Sequence, residues 1–163
     1  MLSRTMMPQR CTTGARPAEP SVNLWDGGQV QSALNLYLPL KTPAQFPALA
    51  AEIKAAQPTV YEALGSLHYV HFARFLRSPD YSALWVITTF DGEIEPYIMD
   101  FVGVLGDVFT ALLQYVRDAP PLPVQRFARE FVEFVITHNV STEVWSAYPS
   151  RTVIDIVDTL GGP

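Results

Sequence analysis

The stretch from His68 to Phe101, HYVHFARFLRSPDYSALWVITTFDGEIEPYIMDF, constrains the fold more than any other part of the chain. Tyr69–Leu76 and Leu84–Phe90 are rich in β-branched and aromatic residues, and the connector between them, Arg77-Ser78-Pro79-Asp80, is built of turn formers. That is the pattern of a hairpin. Asp91-Gly92 then breaks the second strand, and the apolar spacing lengthens to Tyr97, Phe101, Val104, Val108 and Leu112, one face of a helix. Two strands therefore feed directly into a helix of about Glu93 to Val116.

The flanking segments extend this unit. From Gln31 to Leu40 the leucines at 34, 36, 38 and 40 alternate with Ala33, Asn35 and Tyr37, the period of a half-buried strand. Thr42-Pro43 reads as a helix cap followed by a first-turn proline, with Phe46, Leu49, Ala50 and Ile53 at helical spacing. Pro58 is expected to interrupt this helix, leaving a short segment from Thr59 to Leu64 that Gly65 closes in a left-handed conformation. Ala119-Pro120-Pro121-Leu122-Pro123 is an extended spacer. Val124, Phe127, Phe131, Phe134 and Val135 mark a third helix ending near His138-Asn139. A last strand is expected over Thr142 to Tyr148, and a short terminal helix over Thr152–Leu160 before Gly161-Gly162.

The order strand, helix, strand, strand, helix, extra helix, strand predicts an α+β chain. Short connections are satisfied by a ferredoxin-like split βαβ arrangement, a four-stranded antiparallel sheet with helices on one face. Alternation places Leu34, Leu36, Leu38, Val70, Phe72, Leu76, Leu84, Val86 and Phe90 under the helices. The other face is then expected to carry Asn35, Tyr37, Tyr69, His71, Phe75, Trp85, Ile87 and Thr89, with one of Trp145 and Tyr148 joining it. Such a set is too aromatic to face water and too polar for an ordinary core, so it meets a second subunit's sheet, lines a cavity, or does both.

At 163 residues and 48% hydrophobic, the chain suffices for one packed domain, expected over residues 29–163. Residues 1–28 carry Arg4, Arg10, Arg16 and three prolines with no apolar core, which reads as a flexible tail. The net charge of −5 disfavours nucleic acid and anionic lipid as partners. No run reads as the roughly 20 apolar residues of a membrane span. With one cysteine, Cys11, no internal disulfide can form, and the cytoplasm is the expected compartment.

HFARF (71–75), TTFDG (88–92), YIMDF (97–101) and SAYP (146–149) resemble the dimeric α/β-barrel superfamily of ferredoxin-like proteins, in its bacterial branch related to dye-decolourising peroxidases. The resemblance spans about Ser32 to Ile156. It implies a homodimer of paired sheets and a cavity for a hydrophobic small molecule or haem. The superfamily includes cofactor-free monooxygenases, haem-degrading enzymes, chlorite dismutases and peroxidases. In the peroxidase pattern, Asp91-Gly92 matches the end of Gly-x-x-Asp-Gly, which would make Asp91 a distal acid, but Thr88 replaces the first glycine. His138 is the local candidate for a proximal haem ligand.

Three side chains carry possible chemistry. His71, on the open face, has the near-neutral imidazole of a general base. Asp91 is expected to end its strand and cap the following helix. Arg74 is expected to point under the helices and pair with Asp100. Asn35, Tyr37, Tyr69, Phe75, Trp85, Thr89 and Trp145 are the candidate substrate contacts. No metal-ligand spacing, nucleophile elbow, phosphate loop or dinucleotide fingerprint is present. The function expected from these residues and the resemblance is proton abstraction from a hydrophobic compound, or its cofactor-free oxidation. The alternatives are a non-catalytic homodimeric assembly protein and a haem-binding peroxidase relative.

Overall fold

A computed structural model describes residues 29–161. The expected N-terminal tail and Gly162 lie outside them. The strands are β1 (Gln31–Pro39), β2 (Val70–Arg77) and β3 (Ala83–Asp91), and the helices are α1 (Phe46–Ser66), α2 (Ile94–Leu113), α3 (Ala128–His138) and α4 (Val153–Thr159). The sheet is antiparallel in the order β1-β3-β2. The chain is thus α+β, with three described strands where four were expected.

Residues 142–148 form no strand. The chain leaving α3 touches the free edge of β1 only briefly, in a bridge between Leu36 and Asn139 and a bond from Val140 N to Asn35 O of 2.9 Å. β-Branched composition alone does not make a strand where no ladder continues. Trp145 and Tyr148 consequently stand in solvent, 80% and 70% exposed.

β1 and β3 alternate as their leucines and valines demand. Leu34, Leu36, Leu38, Leu84, Val86 and Phe90 are all buried on one face beneath α2 and α3. β2 behaves differently. Val70 pairs with Phe90 but Phe72 pairs with Thr89, so His71 is an extra residue in a β-bulge. One inserted residue reverses the facing of everything after it. Ala73 and Phe75 therefore turn toward the helices, opposite Thr88 and Val86, while Phe72, Arg74 and Leu76 line up with Thr89, Ile87 and Trp85 on the open face. The expected placements of Phe72, Phe75, Leu76 and Arg74 are all reversed by this bulge.

α1 runs unbroken through Pro58 and over Gly65. The left-handed residue after it is His68, at φ 35°. α2 is the centre of the helix layer, packing on α1 at one side and α3 at the other. By length and composition it is apolar enough to cross a bilayer, unlike any run recognised in the sequence, but half of it is buried within the fold. Its Phe101 and Phe109 continue an aromatic chain from Phe90 and Tyr97 to Phe131. Gly106 permits a close approach, because a Cβ there would lie 2.5 Å from the Gln125 side chain.

Candidate functional site

Cross-strand register arranges the open face in four rows. Tyr37, Trp85 and Leu76 form one, Asn35, Ile87 and Arg74 the next, then Ala33, Thr89 and Phe72. The last row joins Gln31, Asp91 and the bulged His71. Tyr37 and Trp85 are in ring contact, 4.9 Å between centroids. Phe72, 70% exposed, and Leu76, 43%, stand in solvent on either side of Arg74.

His71 and Asp91 meet at the end of this face. Nε2 of His71 lies 2.8 Å from Oδ1 of Asp91, with both side chains about nine-tenths buried. The other carboxylate oxygen, Oδ2, accepts the Val153 backbone N–H at 2.7 Å, in the first turn of α4. Through its two oxygens Asp91 thus ties the His71 ring to the first turn of α4. Asp91 therefore does not cap α2, whose N-cap is Glu93 with no side-chain bond. In the neutral ring the carboxylate draws the proton onto Nε2, and Nδ1 is left bare.

The C-terminal segment is locked in place to make this possible. Thr152 and Asp155 form a capping box, Asp155 N donating to the Thr152 hydroxyl and Thr152 N to the Asp155 carboxylate. The Thr152 backbone N–H, and after it the Thr152 side chain, lower the Asp155 pKa below its ordinary value. Gln31, itself buried, donates from its amide to Tyr148 O at 3.1 Å and Arg151 O at 2.7 Å. Gln31 was absent from the sequence candidates, although its place opposite Asp91 follows from the strand register.

Other expected residues are dispersed. Tyr69 does not share the open face: its hydroxyl donates to Asp100 at 2.7 Å and its ring meets Tyr97 of the helix layer. Burial, then the Asp100 bond, raises its phenol pKa well above the usual range. Asp100 is thus engaged by Tyr69, and no Arg74–Asp100 ion pair occurs among the described residues. Phe75 faces α1. Asn35 is spent on the chain beyond α3, its amide donating to Val140 O and its backbone N–H to Asn139 Oδ1.

The residues expected to flank a haem do not converge. His138 stacks on Phe134 and hydrogen-bonds the carbonyl of that residue at 2.9 Å, in the helix layer. Asp91 lies on the other face of the sheet. The space between β1, α2 and α3 is filled, the void lined by Leu34, Tyr97, Phe101 and Phe131 measuring only about 10 Å³, far below the roughly 300–1,000 Å³ of a ligand pocket. His138 and Asp91 do not fit a haem between them.

Architecture and site together define an α+β chain with a helix-backed antiparallel sheet and a histidine–carboxylate pair at the end of its uncovered face. Comparison with protein-family models, curated proteins and solved structures finds no match.

Proposed function

We propose that the chain is a small-molecule enzyme of the dimeric α/β-barrel type, in which a second copy closes the uncovered face around a hydrophobic guest and His71 removes a proton from it. The observation that carries this reading is the 2.8 Å contact of His71 with Asp91 beside an aromatic, partly exposed sheet face. Asp91 orients the imidazole and stabilises the imidazolium formed when Nδ1 takes the proton. Tyr37, Trp85 and Ile87 supply an apolar platform. Arg74, on the same face, is the cation available to an enolate oxygen as the C–H electron pair moves onto it. Reprotonation of that enolate gives isomerisation, and its reaction with dioxygen gives cofactor-free oxidation.

The test is deuterium incorporation from D2O into hydrophobic carbon acids such as aryl 1,3-diketones, wild type against His71→Gln. The second copy has its own test. Phe72→Glu together with Leu76→Glu puts two charges onto the uncovered face, and sedimentation is expected to change from dimer to monomer with the far-UV spectrum unchanged. A wild type that sediments as a monomer at every concentration rules the closure out.

A non-catalytic assembly protein is the second reading, favoured by the bond from Val153 N to the Asp91 carboxylate, which makes the pair a latch for α4. It requires that His71→Ala, which removes the partner of Asp91, loosen α4, and that neither His71→Ala nor His71→Gln affect exchange.

A further inference from the structure

On the opposite side of the sheet from His71, helix α1 stands off the edge strand. Of its 21 residues only Leu49 and Ala63 are buried, and it packs along α2 while barely touching β2. Two local features mark this side of the sheet. The bulge turns the small side chain of Ala73 and the ring of Phe75 toward α1. Pro58 inside the helix has no N–H to give the Lys54 carbonyl and crowds it, so this turn of α1 lacks one of its backbone bonds.

The result is a cleft of about 300 Å³, walled by Ile53, Val60 and Leu64 from α1 and by Ala73 and Phe75 from β2. At roughly 30 Å³ for each water-sized group, it takes about ten heavy atoms, the low end of small-molecule sites. Its walls are aliphatic and aromatic. Its charged lining residue is Lys54, and Gln57 lines it as well, both at the exposed rim. The chain has more acids than bases, 16 against 11. Even so, no acid lies within ion-pair range of Lys54 among the described residues. An apolar slot with one uncompensated ammonium is complementary to an apolar tail that ends in one negative charge.

We propose that this cleft binds a medium-chain aliphatic carboxylate, the tail lying between Ile53, Leu64 and Phe75 and the carboxylate meeting the Lys54 ammonium. The site is independent of the His71 chemistry, because the sheet separates the two.

Titration calorimetry with decanoate, decanol and decyltrimethylammonium on the full chain tests the assignment. Decanoate is expected to bind one per chain, decanol about tenfold more weakly, and the cation not at all. Lys54→Gln is expected to bring decanoate down to the affinity of decanol and leave decanol unchanged. Ala73→Trp, which fills the cleft, is expected to abolish both; should that variant not fold, Lys54→Gln alone decides. Decanoate that fails to bind, or that binds Lys54→Gln as tightly as wild type, overturns the proposal.

Discussion

His71→Gln is expected to slow deuterium incorporation into a carbon-acid substrate by about 10²–10⁴-fold, the usual contribution of a positioned base. Glutamine keeps a hydrogen-bond donor of similar reach toward Asp91, so the bulge and α4 are expected to remain in place. Asp91→Asn acts through the histidine instead. Its amide oxygen can still accept the Val153 N–H, but its NH2 group donates to Nε2 and moves the ring proton onto Nδ1, the nitrogen that must be bare. A loss of the same order is expected although the proton-accepting ring is still present. Exchange rates that are equal in all three proteins rule out the base, whatever happens to binding.

Phe90→Ala is expected to cost about 3–5 kcal/mol of stability. Phe90 is fully buried and stacks on Tyr97 at 3.7 Å with the rings 2° from parallel, joining the central strand to α2. Little can collapse into the space, because Phe101 and the β1 leucines around it are held by their own packing. Urea unfolding checks this as a lower midpoint at unchanged slope. Tyr97→Phe is the milder companion. It removes the 2.6 Å bond from the Tyr97 hydroxyl to Thr88, both groups being buried, and leaves the Thr88 hydroxyl unpaired, a cost of about 1–3 kcal/mol. Burial, opposed by that bond, raises the Tyr97 phenol above its ordinary pKa.

Elements with a strong internal period were legible from residue order alone. The leucine alternation of β1, the valine and phenylalanine alternation of β3 and the long apolar stripe of α2 each identify both the element and its buried side. β2 was legible as a strand but not in its facing. Nothing in VHFARFLR marks His71 as an extra residue, and the bulge is decided by the pairing with β3. The error spread from there to Phe72, Arg74, Phe75 and Leu76, while His71 itself kept its open-face position. Residues 142–148 failed for a complementary reason: their composition suits a strand, but a strand needs a neighbour along its whole length.

The site was legible in its members and not in their union. His71 and Asp91 were each recognised for chemistry, 20 residues apart, with different partners in view. Counting back through the hairpin from the Arg77–Leu84 pair puts Asp91 beside the start of β2, so the register held the signal. The docking of α4 onto Asp91 depends on a loop held by Gln31, a contact across 120 residues that no local pattern encodes.

The side-chain nitrogen spectrum of the histidines at neutral pH tests the arrangement on which the chemistry rests. With only His68, His71 and His138 in the chain, the set of signals lost in His71→Gln is that of His71. The neutral His71 ring is expected to carry its proton on Nε2, bonded to Asp91, with Nδ1 bare, and Asp91→Asn is expected to reverse the two. A neutral His71 ring that carries its proton on Nδ1 in the wild type, or a spectrum that Asp91→Asn leaves unchanged, would contradict it.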